Sequence, residues 1–282
     1  ISDVPIGAFL SGGIDSSLIT AVMQKLSDKP VKTFTIGFTD SGYDESVYAA
    51  DVSKVLGTDH TCEMLPLSTA REYIDLLPEY YDEPMADQSS IATLLLSKIT
   101  RKNVTVALTG DAGDELFCGY ERYRTNNSKY KIPAALLNAA NIILPIKGSE
   151  NRYFSKLIHC KDEKSMINMD TLAYWDVYNG IVKGIPENSV DNFKERLQAA
   201  GNTFCEKYML SDLGTNMIDD ILVKVDRASM GFSLETRSPL LDYRIVEFAL
   251  GLPLEYKYNN GSLKHILKEL AYSYVPREFR DR

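Results

Sequence analysis

Leu10-Ser11-Gly12-Gly13-Ile14-Asp15-Ser16-Ser17 separates two unlike patterns. Before it, Val4 to Leu10 (VPIGAFL) is a short apolar run of the buried-strand type. After it, Leu18, Ile19, Val22, Met23 and Leu26 recur at helical spacing. A strand that turns through Ser-Gly-Gly into a helix sets unpaired N–H groups and a positive dipole end beside the strand's carboxyl terminus. Gly12 and Gly13 allow a tight turn and close approach of an anion. Ser11, Ser16 and Ser17 add hydroxyl donors. The stretch fits neither GxxxxGK(S/T) nor GxGxxG. It has no lysine for a γ-phosphate, so it suits a pyrophosphate that leaves, with a metal supplying positive charge. Asp15, beside such phosphates, suits Mg2+, a hard cation that bridges carboxylate and phosphate oxygens. Its plainer role is that of a capping residue after a glycine turn.

Outward from this loop the strand–helix alternation continues. Val31 to Phe38 (VKTFTIGF) reads as a second strand and Glu45 to Leu56 as a helix stopped by Gly57. His60 to Leu65 is a third strand, followed by helices from Ser68 to about Asp82 and from Ser90 to Arg101. Val104 to Leu108 is a fourth strand, and it too runs into a glycine turn, Thr109-Gly110-Asp111-Ala112-Gly113-Asp114. The expected fold class is therefore α/β, a parallel twisted sheet with helices on both faces. From about Tyr120 strand patterns vanish. Ala134–Ile143, Thr171–Val182, Val190–Ala200, Thr215–Met230 and Leu263–Tyr274 read as helices, which predicts a mostly helical second half. The expected division is 1–125 for the nucleotide-binding α/β part and 126–282 for the helical part.

Composition narrows the function. Against 31 Lys+Arg stand 39 Asp+Glu, a net charge of −8, the reverse of what phosphate neutralisation in a nucleic-acid binder requires. Cys62, Cys118, Cys160 and Cys205 form no CxxC, and scattered thiols of this kind fit a reducing cytoplasm. His60, His159 and His265 form no HExxH. His60, in a strand-like stretch, reads as a packing residue, as do Tyr73, Tyr80 and Tyr81. No apolar run reaches the length of a membrane helix, and no signal peptide is visible. The first Met is Met23, so the chain is expected to be a piece of a longer one.

SGGIDSS resembles the pyrophosphate loop of the PP-loop (HUP-like) ATP pyrophosphatases, which cleave ATP between the α- and β-phosphates. Three further stretches select within that group. Thr109 to Tyr120 (TGDAGDELFCGY) looks like the SGxGxDExxxGY motif of the synthetase domain of the asparagine synthetase family. Asp219 to Met230, running on through Leu234-Glu235-Thr236-Arg237-Ser238-Pro239-Leu240-Leu241-Asp242, is similar to that family's DR…LExRxPxLD pattern. Lys264 to Leu267 (KHIL) lies near its late lysine-rich helix.

The resemblance implies ATP and Mg2+ as cofactors and aspartate as acceptor. The β-carboxylate of aspartate is adenylated, pyrophosphate leaves, and ammonia derived from glutamine displaces AMP. It implies that Leu10, Ile36 and Gly110 meet adenine and ribose largely through backbone, with Thr109 beside them. It implies that Asp15 and Asp114 hold the metal, and that Asp111, Asp114 and Glu115 form the catalytic corner. Asp111 stands where many members carry a glutamate near the ammonia step. Without the resemblance, these three acids read as an acidic turn leading into a helix. Asp219, Asp226 and Arg227 have a solvated-helix reading, and Arg237 a helix-end one, against a role for Arg227 or Arg237 in carboxylate recognition. Asp87 falls where some asparagine-forming members carry an arginine, which opens the question of the acceptor. The family's glutaminase domain and a lysine-containing tail would lie outside residues 1–282, so weak turnover is expected of this piece. A homodimer is compatible with the family; nucleic acid and membrane are not expected partners. The competing readings are a same-fold amidotransferase for another carboxylate, such as a sugar acid or β-lactam precursor, a non-catalytic adenine-nucleotide module, and a tRNA-modifying PP-loop enzyme. The acidic balance and the missing CxxC disfavour the last.

Overall fold

The structure is a computed structural model that describes residues 2–39, 44–85, 87–124, 167 and 199–277. The first strand, β1 (Ile6–Phe9), leads through the glycine turn into α1 (Ile14–Lys25). Then follow β2 (Lys32–Phe38), α2 (Ser46–Leu56), β3 (Asp59–Leu65), α3 (Leu67–Glu72), α4 (Leu77–Tyr80), α5 (Ser90–Arg101) and β4 (Val106–Leu108). The second glycine turn enters α6 (Gly113–Phe117). Beyond lie α7 (Phe204–Gly214), a π-helical segment (Met217–Leu222), α8 (Val223–Met230), β5 (Glu235–Arg237), α9 (Tyr243–Gly251), α10 (Leu254–Lys257) and α11 (His265–Tyr272).

All pairings in the sheet are parallel, in the order β3-β2-β1-β4-β5. Parallel neighbours need a crossover on one face or the other. In β2, Thr33, Phe34 and Thr35 are buried in succession, so both faces of that strand are covered. Leu10 packs with Ala49 and Val52 of α2 and with Val275, and Phe34 with Ala107, Val104 and Leu234. The expected α/β class with a parallel sheet holds.

The local signals explain most element ends. Gly57 stops α2 in the left-handed conformation at φ 69°. The helix expected from Ser68 to about Asp82 is two short ones. Pro78 has no N–H and would clash inside a continuous helix, but it is tolerated in the first turn of α4. The stretch expected as one helix over 215–230 begins as a π-helical segment before α8.

The expected loss of strands after about Tyr120 needs correction. Glu235–Arg237 adds β5 beside β4, with Ala107 opposite Thr236. Three residues, two of them charged, carry no readable alternation, and a short charged strand is what a sheet edge tolerates. Arg237 is thus a strand residue rather than a helix-end one. The helices expected at Ala134–Ile143 and Thr171–Val182, and that at Val190–Ala200 up to residue 198, lie outside the described residues.

The chain groups into two compact units. Ile1–Phe117 and Met217–Arg282 form the sheet unit; Cys118–Asn216 form the other. Within the second, α7 starts with a capping box between Thr203 and Glu206. Asp212 of α7 receives hydrogen bonds from Arg122 Nη2 at 2.7 Å and Tyr123 Oη at 2.8 Å.

Candidate functional site

In the strand order, β1 is flanked by β2 and β4, and the chain leaves β1 toward one edge and β4 toward the other. Open parallel sheets bind ligands at such a switch point, at the carboxyl ends of the strands. Both glycine turns lie there, one after β1 and one after β4.

The two turns interlock. A Cβ on Gly110 would come within 2.7 Å of the Ser16 N atom. One on Gly113 would lie 2.6 Å from Asp15 Oδ2, so the bare glycine makes room for that carboxylate. Gly12 sits at φ +82°, with Tyr48 Cβ 2.6 Å and Ala49 N 2.8 Å from where its own Cβ would be. Both its conformation and its packing against α2 therefore require glycine. Gly13 stands in the N-cap position of α1, where no side chain caps the first turn. Ser11 and Gly13 are exposed. Ser11 Oγ and Ser16 Oγ are 3.0 Å apart, and Gly13 N donates to Ser11 Oγ. Ser16 and Ser17 are buried behind the turn, and Ser17 Oγ has no partner among the described residues.

Lys264 completes the corner. Its Nζ donates to Asp15 Oδ2 and lies 2.9 Å from Asp114 Oδ1. The side chains of Lys264 and Asp15 are only 13% and 15% exposed. Lys264 holds the left-handed conformation at φ 52° just before α11, and Ala112, in the second turn, does so at φ 77°. Non-glycine residues in this region cost energy and cluster at functional sites. Burial works against the Lys264 charge, but Asp15 and Asp114 outweigh it and hold the ammonium above its ordinary value. Burial pushes the Asp15 carboxyl up; Lys264 opposes this, while Asp114 and Asp111 add to it. Burial likewise raises Asp111, against hydrogen bonds from Thr109 and Ser238 and the charge of Lys224.

Asp15 and Asp114 therefore share the Lys264 ammonium, the charge of Asp111 acts on Asp15 as well, and Asp15 Oδ1 and Asp111 Oδ2 are buried without a hydrogen-bond partner. Hard oxygen donors, surplus negative charge and an orphaned carboxylate oxygen fit a divalent cation such as Mg2+. Among the described residues no three His, Cys, Asp or Glu side chains converge as a ready-made metal cage. Mg2+ does not need one, because it is commonly bound by one or two carboxylates plus substrate phosphates and water.

The remaining sequence candidates are placed as follows. Leu10 N–H donates to Phe34 O and its carbonyl accepts from Thr35 Oγ1, so most of its backbone capacity serves the sheet. Ile36 is half-buried near the end of β2, opposite Glu63. Thr109 Oγ1 is 2.7 Å from Ser238 Oγ. Glu115 is 2% exposed. His60 Nδ1 is 2.9 Å from Thr33 Oγ1, between neighbouring strands. Lys264 was legible only as part of a motif. Its 249-residue separation from Asp15 leaves no local signal for the contact.

The asparagine synthase family profile matches residues 1–282, the whole chain. This chain belongs to the asparagine synthase family. It is 30% identical over 302 residues to the glutamine-hydrolyzing asparagine synthetase 1 of Bacillus subtilis, an alignment covering 100% of this chain and 46% of that protein. It is 36% identical over 243 residues to a putative glutamine-hydrolyzing asparagine synthetase 2 of Methanocaldococcus jannaschii, covering 81% of this chain and 46% of that one. A putative glutamine-hydrolyzing asparagine synthetase of Mycobacterium tuberculosis is 30% identical over 296 residues, with 98% and 43% covered. The chain thus spans somewhat under half the length of these relatives. The family is of the PP-loop superfamily, in keeping with the parallel α/β sheet described above. No helix among the described residues is long and apolar enough to cross a membrane.

Proposed function

We propose that this domain activates a carboxylate with ATP, as the synthetase half of a glutamine-dependent asparagine synthetase. The observation that carries the reading is the corner at the switch point, where Asp15 and Asp114 meet across Lys264 beside an uncapped helix start. The first turn, Ser11 to Asp15, cradles the β- and γ-phosphates with backbone N–H groups. Asp15 and Asp114 are the residues that would hold Mg2+, which when bound would supply positive charge for a departing pyrophosphate. Lys264 adds a second cation at the same corner. The backbone at Leu10, Ile36 and Gly110 lines the nucleoside.

An oxygen of the aspartate β-carboxylate attacks the α-phosphorus, and the bond to the β-phosphate oxygen breaks. The product is β-aspartyl-AMP, a mixed anhydride with a good leaving group. Ammonia adds to the activated carbonyl, loses a proton and expels AMP. The ammonia comes from glutamine, hydrolysed by a part of the protein outside this chain. In this reading Asp111, in the second turn, takes the ammonium proton. The chain's contribution is positioning and charge.

Isothermal titration of the chain with ATP and Mg2+, with and without aspartate, tests the reading. Asp15→Asn should weaken Mg2+-dependent nucleotide binding by tenfold or more; unchanged affinity would remove the metal role. Pyrophosphate release compared across aspartate, sugar acids and other carboxylates decides between asparagine formation and a same-fold amidotransferase. Nucleotide binding with no pyrophosphate from any acceptor would instead point to a sensor.

A further inference from the structure

A pair of sulfurs lies on the edge of the sheet and shares no residue with the corner described above. Cys62 and Met64 stand two positions apart on β3, so both project from one face of that strand. β3 ends the strand order, beside β2. Cys62 Sγ is 3.9 Å from Met64 Sδ. Cysteine and methionine ordinarily fill cores. Here Cys62 is exposed and Met64 is 42% exposed, whereas Cys118 and Cys205 are buried. Core packing therefore does not account for the pair.

The pair is also held in place. Met64 stands opposite Gly37 in the register of β2 and β3. A Cβ on Gly37 would collide with Met64 Sδ and would come within 2.7 Å of Asp44 Oδ1, so the bare glycine seats thioether and carboxylate together. Asp44 is fixed in turn, because its oxygens accept from Ser46 N at 3.0 Å and Ser46 Oγ at 2.8 Å at the start of α2.

Two metal–sulfur bonds of about 2.3 Å, at an angle between tetrahedral and trigonal, set their sulfurs about 3.8–4.0 Å apart. The separation of 3.9 Å meets that span with no rearrangement of the strand. Thiolate and thioether are soft ligands and select soft ions such as Cu(I). Among the described residues no three His, Cys, Asp or Glu side chains converge, so the closed N/S cage of a structural zinc ion is not formed here.

We propose that Cys62 and Met64 bind a soft monovalent cation of the Cu(I) class at the exposed edge of β3. On binding, the Cys62 thiol gives its proton to solvent, and the thiolate and the cation neutralise each other. Met64 donates a thioether lone pair. Asp44 adds negative charge beside the thioether without being a ligand. The remaining coordination position faces solvent and takes a small external ligand. No oxidation state changes, and the site does not depend on the nucleotide reading.

Cu(I), kept reduced by ascorbate with no added thiol, is titrated into the full chain against a colorimetric Cu(I) chelator. Cys160 lies outside the described residues, so the titration is run in wild type and in Cys160→Ser. Both should bind about one equivalent. Cys62→Ser should abolish binding. Met64→Leu, which keeps an apolar side chain of similar volume, should weaken it by about tenfold or more. Copper X-ray absorption should show two protein sulfurs around the ion in wild type and one in Met64→Leu. An equal concentration of Zn2+ should leave Cu(I) in place. If Cys62→Ser fails to fold, Cys62→Ala and Met64→Leu carry the test. Undiminished binding without the Cys62 thiol, unchanged affinity in Met64→Leu, displacement by Zn2+, or loss of binding in Cys160→Ser alone overturns the site.

Discussion

Lys264 bonds to Asp15 across 249 positions of chain, joining the start of α11 to the start of α1. The same ammonium reaches Asp114 at 2.9 Å, so one cation ties both glycine turns together. Removing one partner from a buried pair strands the other charge and costs about 3–5 kcal/mol. Lys264→Met should therefore lower the unfolding free energy by about 3 kcal/mol. Added Mg2+ should restore melting temperature more in the variant than in wild type, because the cation replaces the lost charge. Equal responses to Mg2+ in both proteins would dissociate Lys264 from the metal corner.

Gly113 carries a prediction that separates binding from folding. A methyl group there displaces the Asp15 carboxylate, whose Oδ2 would stand 2.6 Å from it. Gly113→Ala should weaken Mg2+-dependent nucleotide binding by about tenfold, or ~1.4 kcal/mol, with the far-ultraviolet dichroism kept. Gly12→Ala faces a left-handed φ and the backbone of α2 together, so it should also destabilise the fold, by about 1–3 kcal/mol from backbone strain alone. Thermal melts of the two variants distinguish these outcomes.

Asp87 sets a pH dependence with a defined sign. Burial opposes its ionisation, but hydrogen bonds from Lys224 and Ser89 outweigh it and hold the carboxyl below its ordinary value. The folded state thus releases this proton more readily than the unfolded chain, and the group contributes stability above the unfolded value of about 3.9. That stability is lost as the pH falls through the lowered folded value. Urea unfolding should show a wild-type advantage over Asp87→Asn that is flat above about pH 5 and shrinks below about pH 4. An advantage that grows on acidification would contradict the pairing.

The second unit has its own polar centre. Tyr123 is fully buried and its hydroxyl donates to Asp212 Oδ2 at 2.8 Å, beside Arg122. Tyr123→Phe removes that donor and keeps the ring that packs edge-on against Tyr208. The expected loss is about 1–2 kcal/mol in denaturant melts, with nucleotide affinity in the sheet unit unchanged.

What could be read along the chain was whatever its own neighbours enforce. The turn after β1 needs glycine and small hydroxyl residues at adjacent positions, and the strand before it and the helix after it announce themselves by period. The same holds for the turn after β4, so the α/β class and two of the three members of the charged corner, Asp15 and Asp114, were visible as text. Pro78 hides from a periodicity count, because the apolar spacing runs on through a residue that splits the helix. β5 hides for the opposite reason: three residues at a sheet edge bury too little to leave a pattern. Lys264 with Asp15 and Lys224 with Asp87 belong to the tertiary structure alone. Their charges meet only because helices distant in sequence pack around one parallel sheet. A lysine reads alike on a solvated face and beside two half-buried carboxylates until that packing removes the water.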